Sequence, residues 1–137
     1  MVTEFFVPMK PPTCTAQEKR VVKSQGKYYF YDNPEVSAAR QKLRDSMAKF
    51  CPAADMRHTG AVRLVVKWLF PLTGSHKDGE WKTTKPDTDN LNKMLKDILT
   101  ELGFWKDDAL VASEIIEKFW AKIPGIYIRI ETLETKR

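Results

Sequence analysis

Two aspartates in the middle of the chain have the type and spacing that metal-assisted chemistry requires. Asp87 and Asp89 stand two residues apart, directly after Pro86. Residues two apart share a side of an extended chain but point to different faces within a helix. The two carboxylates therefore converge only if Asp87 precedes a helix and Asp89 lies in its first turn. There the positive end of the helix dipole would partly offset their repulsion.

Clustered carboxylates favour a divalent cation between them. Mg²⁺ takes an octahedron of oxygen ligands and keeps waters and substrate phosphate oxygens among them, which suits phosphodiester hydrolysis. The alternative is that Asp87 caps the helix and Asp89 complements its dipole. The pair alone slightly favours this capping interpretation, so the neighbouring residues must decide.

Further acids and cations follow the pair along the chain. Asp107 and Asp108 are the obvious additional donors for a metal site, although adjacent aspartates before an apolar strand are also typical of a turn. Asp89, Lys93 and Lys96 recur at i, i+4 and i+7 on one helix face. Lys93 could neutralise a phosphate or the charge that develops in the transition state. An ordinary solvated ion pair is the alternative for this lysine.

The overall charge gives weak support for a polyanionic partner. Lys and Arg outnumber Asp and Glu by 23 to 18, which leaves a formal charge of +5. Five lysines are expected to contact DNA phosphates, which would give affinity that depends on salt but not on base sequence. They are Lys77, Lys82, Lys85, Lys93 and Lys96. For each lysine alone, a solvated surface charge is the alternative.

The element that must position these residues is a helix over residues 88–102. Its apolar residues form one stripe, and Gly103 stands where a left-handed C-terminal residue is needed. The stripe consists of Leu91, Met94, Leu95, Ile98, Leu99 and Leu102. An earlier helix is predicted from the cap candidate Asn33 to the stop at Cys51 and Pro52.

The remaining segments predict strands. Alternating apolar residues indicate strands at 4–7, 62–70, 111–120 and 126–133, and a hairpin at 20–31. A long loop is predicted between the second of these strands and Pro86, of a length that is usually functional or mobile. With 137 residues, a single domain over residues 1–137 is the natural expectation. The predicted fold class is α/β (α+β), a small mixed, largely antiparallel sheet with two principal helices.

Several other classes of protein lack support in the sequence. Cys14 and Cys51 are expected to be free thiols, and His58 and His76 to be exposed and not to bind metal. No apolar run approaches the about 20 residues that span a bilayer, and the first residues do not resemble a secretion signal. A soluble cytoplasmic protein without a membrane partner is therefore expected. No Gly-rich phosphate loop appears, so no nucleotide cofactor is expected.

The acidic segment resembles a known family. Residues 85–93 read Lys-Pro-Asp-Thr-Asp-Asn-Leu-Asn-Lys, and Asp97, Gly103-Phe104-Trp105, Asp107-Asp108 and Val111 follow. This pattern resembles the signature of the RusA endodeoxyribonucleases, a family of Holliday junction resolvases. The match is specific over residues 85–111, looser at residues 6–12 and along the final strands, and residues 13–84 contribute little to it.

The resemblance implies a function and a set of roles. The family resolves four-way DNA junctions as homodimers in recombination and repair and uses Mg²⁺, for which Mn²⁺ is expected to substitute. By this resemblance Asp87, Asp89 and Asp108 are the catalytic, metal-binding acids, Lys93 is the functional lysine, and Asp107 is a neighbouring acidic position. Residues 81–85 carry fewer charges than the arginine run that often precedes the first aspartate, which affects the expected DNA affinity but not the metal chemistry.

The predicted helix raises a question of reach. A helix over residues 88–102 is roughly 20 Å long at about 1.5 Å per residue, with Asp89 at one end and Gly103 at the other. Either the chain doubles back after Gly103 to bring Asp108 to Asp89, or Asp108 comes from a partner subunit. A site shared across the dimer is the favoured expectation.

Two functions of other classes compete with the nuclease. One is a non-catalytic basic DNA-binding dimer in which the aspartates only cap a helix, which predicts no dependence on Mg²⁺. The other is a regulatory dimer whose interface is the Leu/Met stripe, which predicts no junction affinity at moderate salt. Carboxylates facing phosphates add nothing to DNA binding unless a metal bridges them, and this argues against both.

Overall fold

The structure is a computed structural model that describes residues 1–14, 19–32 and 34–134. Within those ranges lie six strands and two α-helices. The strands are β1 (Val2–Val7), β2 (Lys19–Ser24), β3 (Lys27–Asp32), β4 (Val62–Pro71), β5 (Val111–Ala121) and β6 (Gly125–Thr132). The helices are α1 (Pro34–Ala48) and α2 (Thr88–Leu102). The predicted cap residue Asn33 lies outside the described residues.

Four strands form the main sheet in the order β1-β6-β4-β5. β6 runs antiparallel to β1 and β4, whereas β4 and β5 are parallel. The predicted mixed, largely antiparallel sheet with two principal helices is therefore confirmed. Although β5 and β6 are consecutive in the chain, β4 lies between them, so the short segment that joins them crosses the end of β4.

The predicted hairpin is also present. β2 and β3 pair with each other as a separate two-stranded antiparallel sheet, with Ser24 opposite Lys27. The turn between them places Gln25 at φ 51° and Gly26 at φ 78°. Two successive residues with positive φ match the right-handed twist of a hairpin, and glycine adopts this conformation without a steric penalty.

The core lies between one face of the main sheet and the two helices. Every second residue of β4, from Val62 to Phe70, is buried, as the alternation predicts. The apolar stripe of α2 is buried against these side chains. Burying each such side chain stabilises the fold by about 1.5–3 kcal/mol. The interpretation of the stripe as a dimer interface is wrong, because the chain's own core covers five of its six residues, Leu91, Met94, Leu95, Ile98 and Leu99.

His58 is buried, with 1% of its surface exposed, so the expectation of an exposed histidine is wrong. Its Nε2 lies 2.9 Å from Thr3 Oγ1 and its Nδ1 lies 3.0 Å from Thr132 Oγ1, so both ring nitrogens have a hydroxyl partner. Burial lowers the pKa of this imidazole below its usual value. His76 is exposed as expected, pairs with Glu80, and stacks on Trp120.

Two further expectations concern cysteines and membranes. Neither Cys14 nor Cys51 forms a disulfide, as expected. Among the described residues, no helix is both long enough and apolar enough to cross a membrane.

Candidate active site

The start of α2 presents the two predicted aspartates. Asp87 occupies the N-cap position with extended backbone (φ −73°, ψ 149°), and Asp89 lies in the first turn. This is the arrangement that convergence of the two side chains requires. Asp87 is exposed, and its side chain makes no capping hydrogen bond within the described part of the chain. Because an aspartate kept for capping should accept such a bond, its carboxylate is open to another partner.

One face of α2 forms the floor of a polar groove. The helix contributes residues at spacings of three and four, and the segment after the helix and strand β5 contribute the opposite wall. The lining residues are Thr88, Asp89, Asn92, Lys93, Lys96, Asp97, Asp108, Glu114 and Ile116. The groove has a volume of about 370 Å³, which is in the range of small-molecule sites, about 300–1,000 Å³.

Strand β5, which follows Asp108 in the chain, runs antiparallel to α2. Lys118, late in β5, bonds the carbonyl of Pro86 just before the helix, whereas Glu114, earlier in β5, bonds Asn92 and Lys96 further along it. Asp89 and Asp108 of one chain line the same groove, and this favours a site within one chain. The expectation of a site shared across a dimer is not tested by a single chain and stays a prediction.

Two predicted metal-binding acids stand outside the groove wall. Asp87 lies at its rim, one residue before Thr88. Asp107 has a local structural contact, because its Oδ1 accepts a hydrogen bond from the backbone N–H of Ala109 at 2.8 Å and caps the 3-10 turn Asp108–Leu110. The structure therefore places Asp89 and Asp108 along one groove, adds Asp97 and Glu114 to its lining, and uses Asp107 in a turn.

The groove offers donors of the kind that a hard divalent cation prefers. Its acidic residues provide carboxylate oxygens, and the buried amide oxygen of Asn92 accepts no hydrogen bond from any described residue. No three His, Cys, Asp or Glu side chains in the described ranges lie close enough together to hold a metal by themselves. Mg²⁺ commonly binds through one or two carboxylates and completes its octahedron with waters and substrate phosphates. The residues present therefore fit Mg²⁺ chemistry.

The predicted DNA-contacting lysines divide into three groups. Lys77 and Lys85 are exposed on the loop, and Lys93 is exposed at the groove. Lys96 lines the groove and donates to Glu114 Oε1 at 2.5 Å. Lys82 is different, with 9% of its surface exposed, so the expectation that it projects from the loop towards DNA is wrong.

Aromatic rings and a hydroxyl surround Lys82. Its Nζ lies 4.2 Å from the centre of the Trp120 ring and 5.0 Å from that of Phe70, and it donates to Thr84 Oγ1 at 2.6 Å. Burial, and next the nearby charge of Lys118, lower the pKa of Lys82. This lysine holds the loop against the sheet.

Sequence reasoning missed two residues of the site. Glu114 is a groove acid, and its only sequence signal is a charge within an otherwise apolar strand. Lys118, four residues on, donates from Nζ to the backbone oxygens of Thr84 at 2.7 Å and Pro86 at 2.8 Å. It thereby fixes the segment that presents Asp87. Both contacts depend on how β5 lies against α2, which no local pattern encodes.

The fold and the groove together define a small α+β domain with an acid-lined cleft flanked by lysines, the type of site found in enzymes that hydrolyse phosphodiesters. The sequence profile described as Endodeoxyribonuclease RusA matches residues 8–131. The chain belongs to the RusA family of endodeoxyribonucleases. The match confirms the resemblance and extends it well beyond residues 85–111.

Two relatives illustrate this membership. The chain is 31% identical to the crossover junction endodeoxyribonuclease rusA of Lactococcus phage r1t over 111 residues, which cover 81% of this chain and 83% of that protein. It is 34% identical to the uncharacterized protein YqaN of Bacillus subtilis (strain 168) over 83 residues, which cover 53% of this chain and 58% of that protein.

Proposed function

We propose that this protein is a Mg²⁺-dependent endonuclease that resolves four-way DNA junctions by paired symmetric nicks, with Mn²⁺ able to replace Mg²⁺. The observation that carries the proposal is the groove in which Asp89 and Asp108 of one chain stand with Lys93 and Lys96. The family membership and the phage relative's name as a crossover junction endodeoxyribonuclease support the choice of substrate.

Each groove residue has a role that follows from its position. Asp87, Asp89 and Asp108 would hold one or two cations, each bound through one or two of these carboxylates together with waters and substrate phosphates. When bound, a divalent cation polarises the scissile phosphate and lowers the pKa of the attacking water. Lys93 is exposed beside these acids and stabilises negative charge on the phosphate in the transition state.

The substrate approaches a surface of mixed charge. Lys77, Lys85 and Lys93 are free to contact phosphates, which bind without regard to base sequence. Without a cation, the groove acids would repel the DNA backbone, so binding and cutting are coupled to the metal. A two-fold related pair of chains would present two such grooves to two strands of a junction, which is why a homodimer forms part of the proposal.

A cleavage assay tests the proposal. Labelled four-way junction and linear duplex of the same sequence are incubated with the protein in Mg²⁺, in Mn²⁺ and in EDTA. Symmetric nicks in the junction with either cation, and none in EDTA, are the expected result. Junction binding that is never followed by cutting would favour the non-catalytic DNA-binding dimer instead.

A further inference from the structure

The amide of Asn92 is the most unusual polar group in the groove. Only 7% of the residue is exposed. Its Nδ2 donates to Glu114 Oε2 at 2.9 Å. Its Oδ1 is fully buried and accepts no hydrogen bond from residues 1–14, 19–32 or 34–134. Among these residues, the amide nitrogen therefore has a hydrogen-bond acceptor, whereas the amide oxygen has no hydrogen-bond donor.

This open oxygen is costly to the folded protein. A buried acceptor without a partner costs about 1–3 kcal/mol. Rotating the amide by half a turn gives no relief, because it would place Oδ1 against the carboxylate of Glu114, acceptor to acceptor. Glu114 cannot easily turn away, since its other oxygen accepts from Lys96 Nζ at 2.5 Å. The contact with Glu114 thus fixes which end of the amide is left open.

The surroundings indicate what completes the amide. Asn92 follows Asp89 by three residues, so both lie on the same helix face and both line the groove. Amide oxygens are ordinary ligands of hard divalent cations, alongside carboxylates and water. An uncharged oxygen beside the carboxylates adds a ligand without adding repulsion between anions.

We propose that Asn92 Oδ1 is a further ligand of the divalent cation in this groove, and that Glu114 is a positioning residue that aims it. The inference rests on the proposed function, because it assigns a ligand to the cation of that same site. Ligation would satisfy the amide oxygen. The positioning role explains why Glu114 accepts hydrogen bonds from both Asn92 and Lys96.

The test measures Mn²⁺ binding to the full chain without DNA, by the electron paramagnetic resonance signal of free Mn²⁺ and by calorimetry. In Asn92→Ala, affinity should fall by about tenfold or more, since even second-layer changes at metal sites cost about 10- to 100-fold. Glu114→Gln should also weaken binding, because it removes the charge that orients the amide.

A double variant separates ligation from charge. Asn92→Asp combined with Glu114→Gln exchanges amide and carboxylate at equal net charge and keeps the hydrogen bond between them. The oxygen without a donor in the protein then belongs to a carboxylate, so Mn²⁺ affinity should return to the wild-type value or exceed it. Gln41→Ala is the matched control for loss of an amide, because Gln41 is exposed on α1. This variant should bind Mn²⁺ as the wild type does.

The outcomes distinguish the two levels of the proposal. Unchanged Mn²⁺ affinity in a folded Asn92→Ala, with affinity lost in Asp89→Asn, would overturn the role of Asn92 and leave the proposed function standing. Absence of Mn²⁺ binding by the wild type, with and without junction DNA, would overturn both. Alanine favours a helix, and the melting temperature without metal verifies that the variant is folded. If Asn92→Ala does not fold, the double variant decides. A Mn²⁺ affinity of Asn92→Asp/Glu114→Gln below that of Glu114→Gln alone overturns the inference.

Discussion

Two buried polar side chains, His58 and Asn92, differ in how completely the fold satisfies their hydrogen bonds. His58 lies against strands β1 and β6, and both of its ring nitrogens meet threonine hydroxyls. Asn92 lies in the groove, and its oxygen meets nothing among the described residues. A buried polar group normally has its hydrogen bonds made. The first site is therefore structural and complete, whereas the second is completed by something from outside the chain.

The largest expected effect concerns the acid at the rim of the groove. Asp87→Asn should reduce junction cleavage by about a thousandfold, the several kcal/mol expected when a cation loses its carboxylate. Junction affinity should stay the same or increase, because a negative charge near phosphates has been removed. Single-turnover cleavage and filter binding measure the two quantities. A variant that cuts as the wild type does would show that Asp87 is only a helix cap, a role that asparagine fills equally well.

The next effect concerns the lysine that presents Asp87. Lys118→Met removes two charge-assisted hydrogen bonds to the backbone before α2, each worth about 1.5–3 kcal/mol. Cleavage should fall on the order of tenfold, with the loss in the rate constant rather than in junction affinity. Lys122→Met makes the same change of charge at an exposed position of the following turn and is the control. Equal rates for the two variants would remove Lys118 from the positioning of Asp87.

A smaller effect follows from the pKa of His58. Because burial lowers this pKa in the folded state from the ordinary 6.5, the unfolded chain takes up the proton first as the pH falls. The stabilisation by neutral His58 is thus complete above about pH 6.5 and is lost as the pH decreases, by at most about 1.4 kcal/mol per pH unit. Urea unfolding at pH 7.5 and pH 5.5 measures this loss.

Replacement of each histidine identifies the source of that loss. His58→Gln should flatten the dependence of the unfolding free energy on pH, whereas His76→Gln, at the exposed surface, should leave it unchanged. An equally steep dependence in His58→Gln would mean that carboxylates alone cause the loss of stability in acid, and that the buried imidazole has no part in it.

The smallest effect distinguishes exposed from buried lysines. Lys85→Ala should weaken junction and duplex binding alike and reduce the slope of log affinity against log salt by about 0.9, one phosphate contact. Lys82→Met should leave that slope unchanged, because this lysine packs on Trp120 and Phe70. A reduced slope in Lys82→Met would show that Lys82 does contact DNA phosphates.

Local patterns predicted the elements well. The stripe of α2 and the alternation of β4 each repeat a strong period, so the bounds Thr88–Leu102 and Val62–Pro71 agree closely with the predictions. The positions of Asp87 and Asp89 at the start of the helix follow from the same local signals. The acids proposed to bind metal at this helix start could therefore be named from the sequence, and the resemblance points to the same residues.

Long-range packing decided what the sequence could not predict. Lys82 and His58 look like surface residues in sequence, but they are buried by segments distant along the chain. The position of Glu114 in the groove depends on β5 running antiparallel to α2, and that direction is a property of the whole sheet. Glu114 and Asn92 meet for the same reason, so the sequence alone did not predict their contact.

Mixed subunits give the most direct test that one chain supplies a whole groove. Four-way junction is cut in Mg²⁺ by the wild type, by Asp89→Asn, by Asp108→Asn, and by an equimolar mixture of the two variants that has been allowed to exchange subunits. Nicks by the wild type alone are the predicted result, because every chain in the mixture lacks one acid. Single nicks by the mixture, or full activity of either variant by itself, would contradict the account.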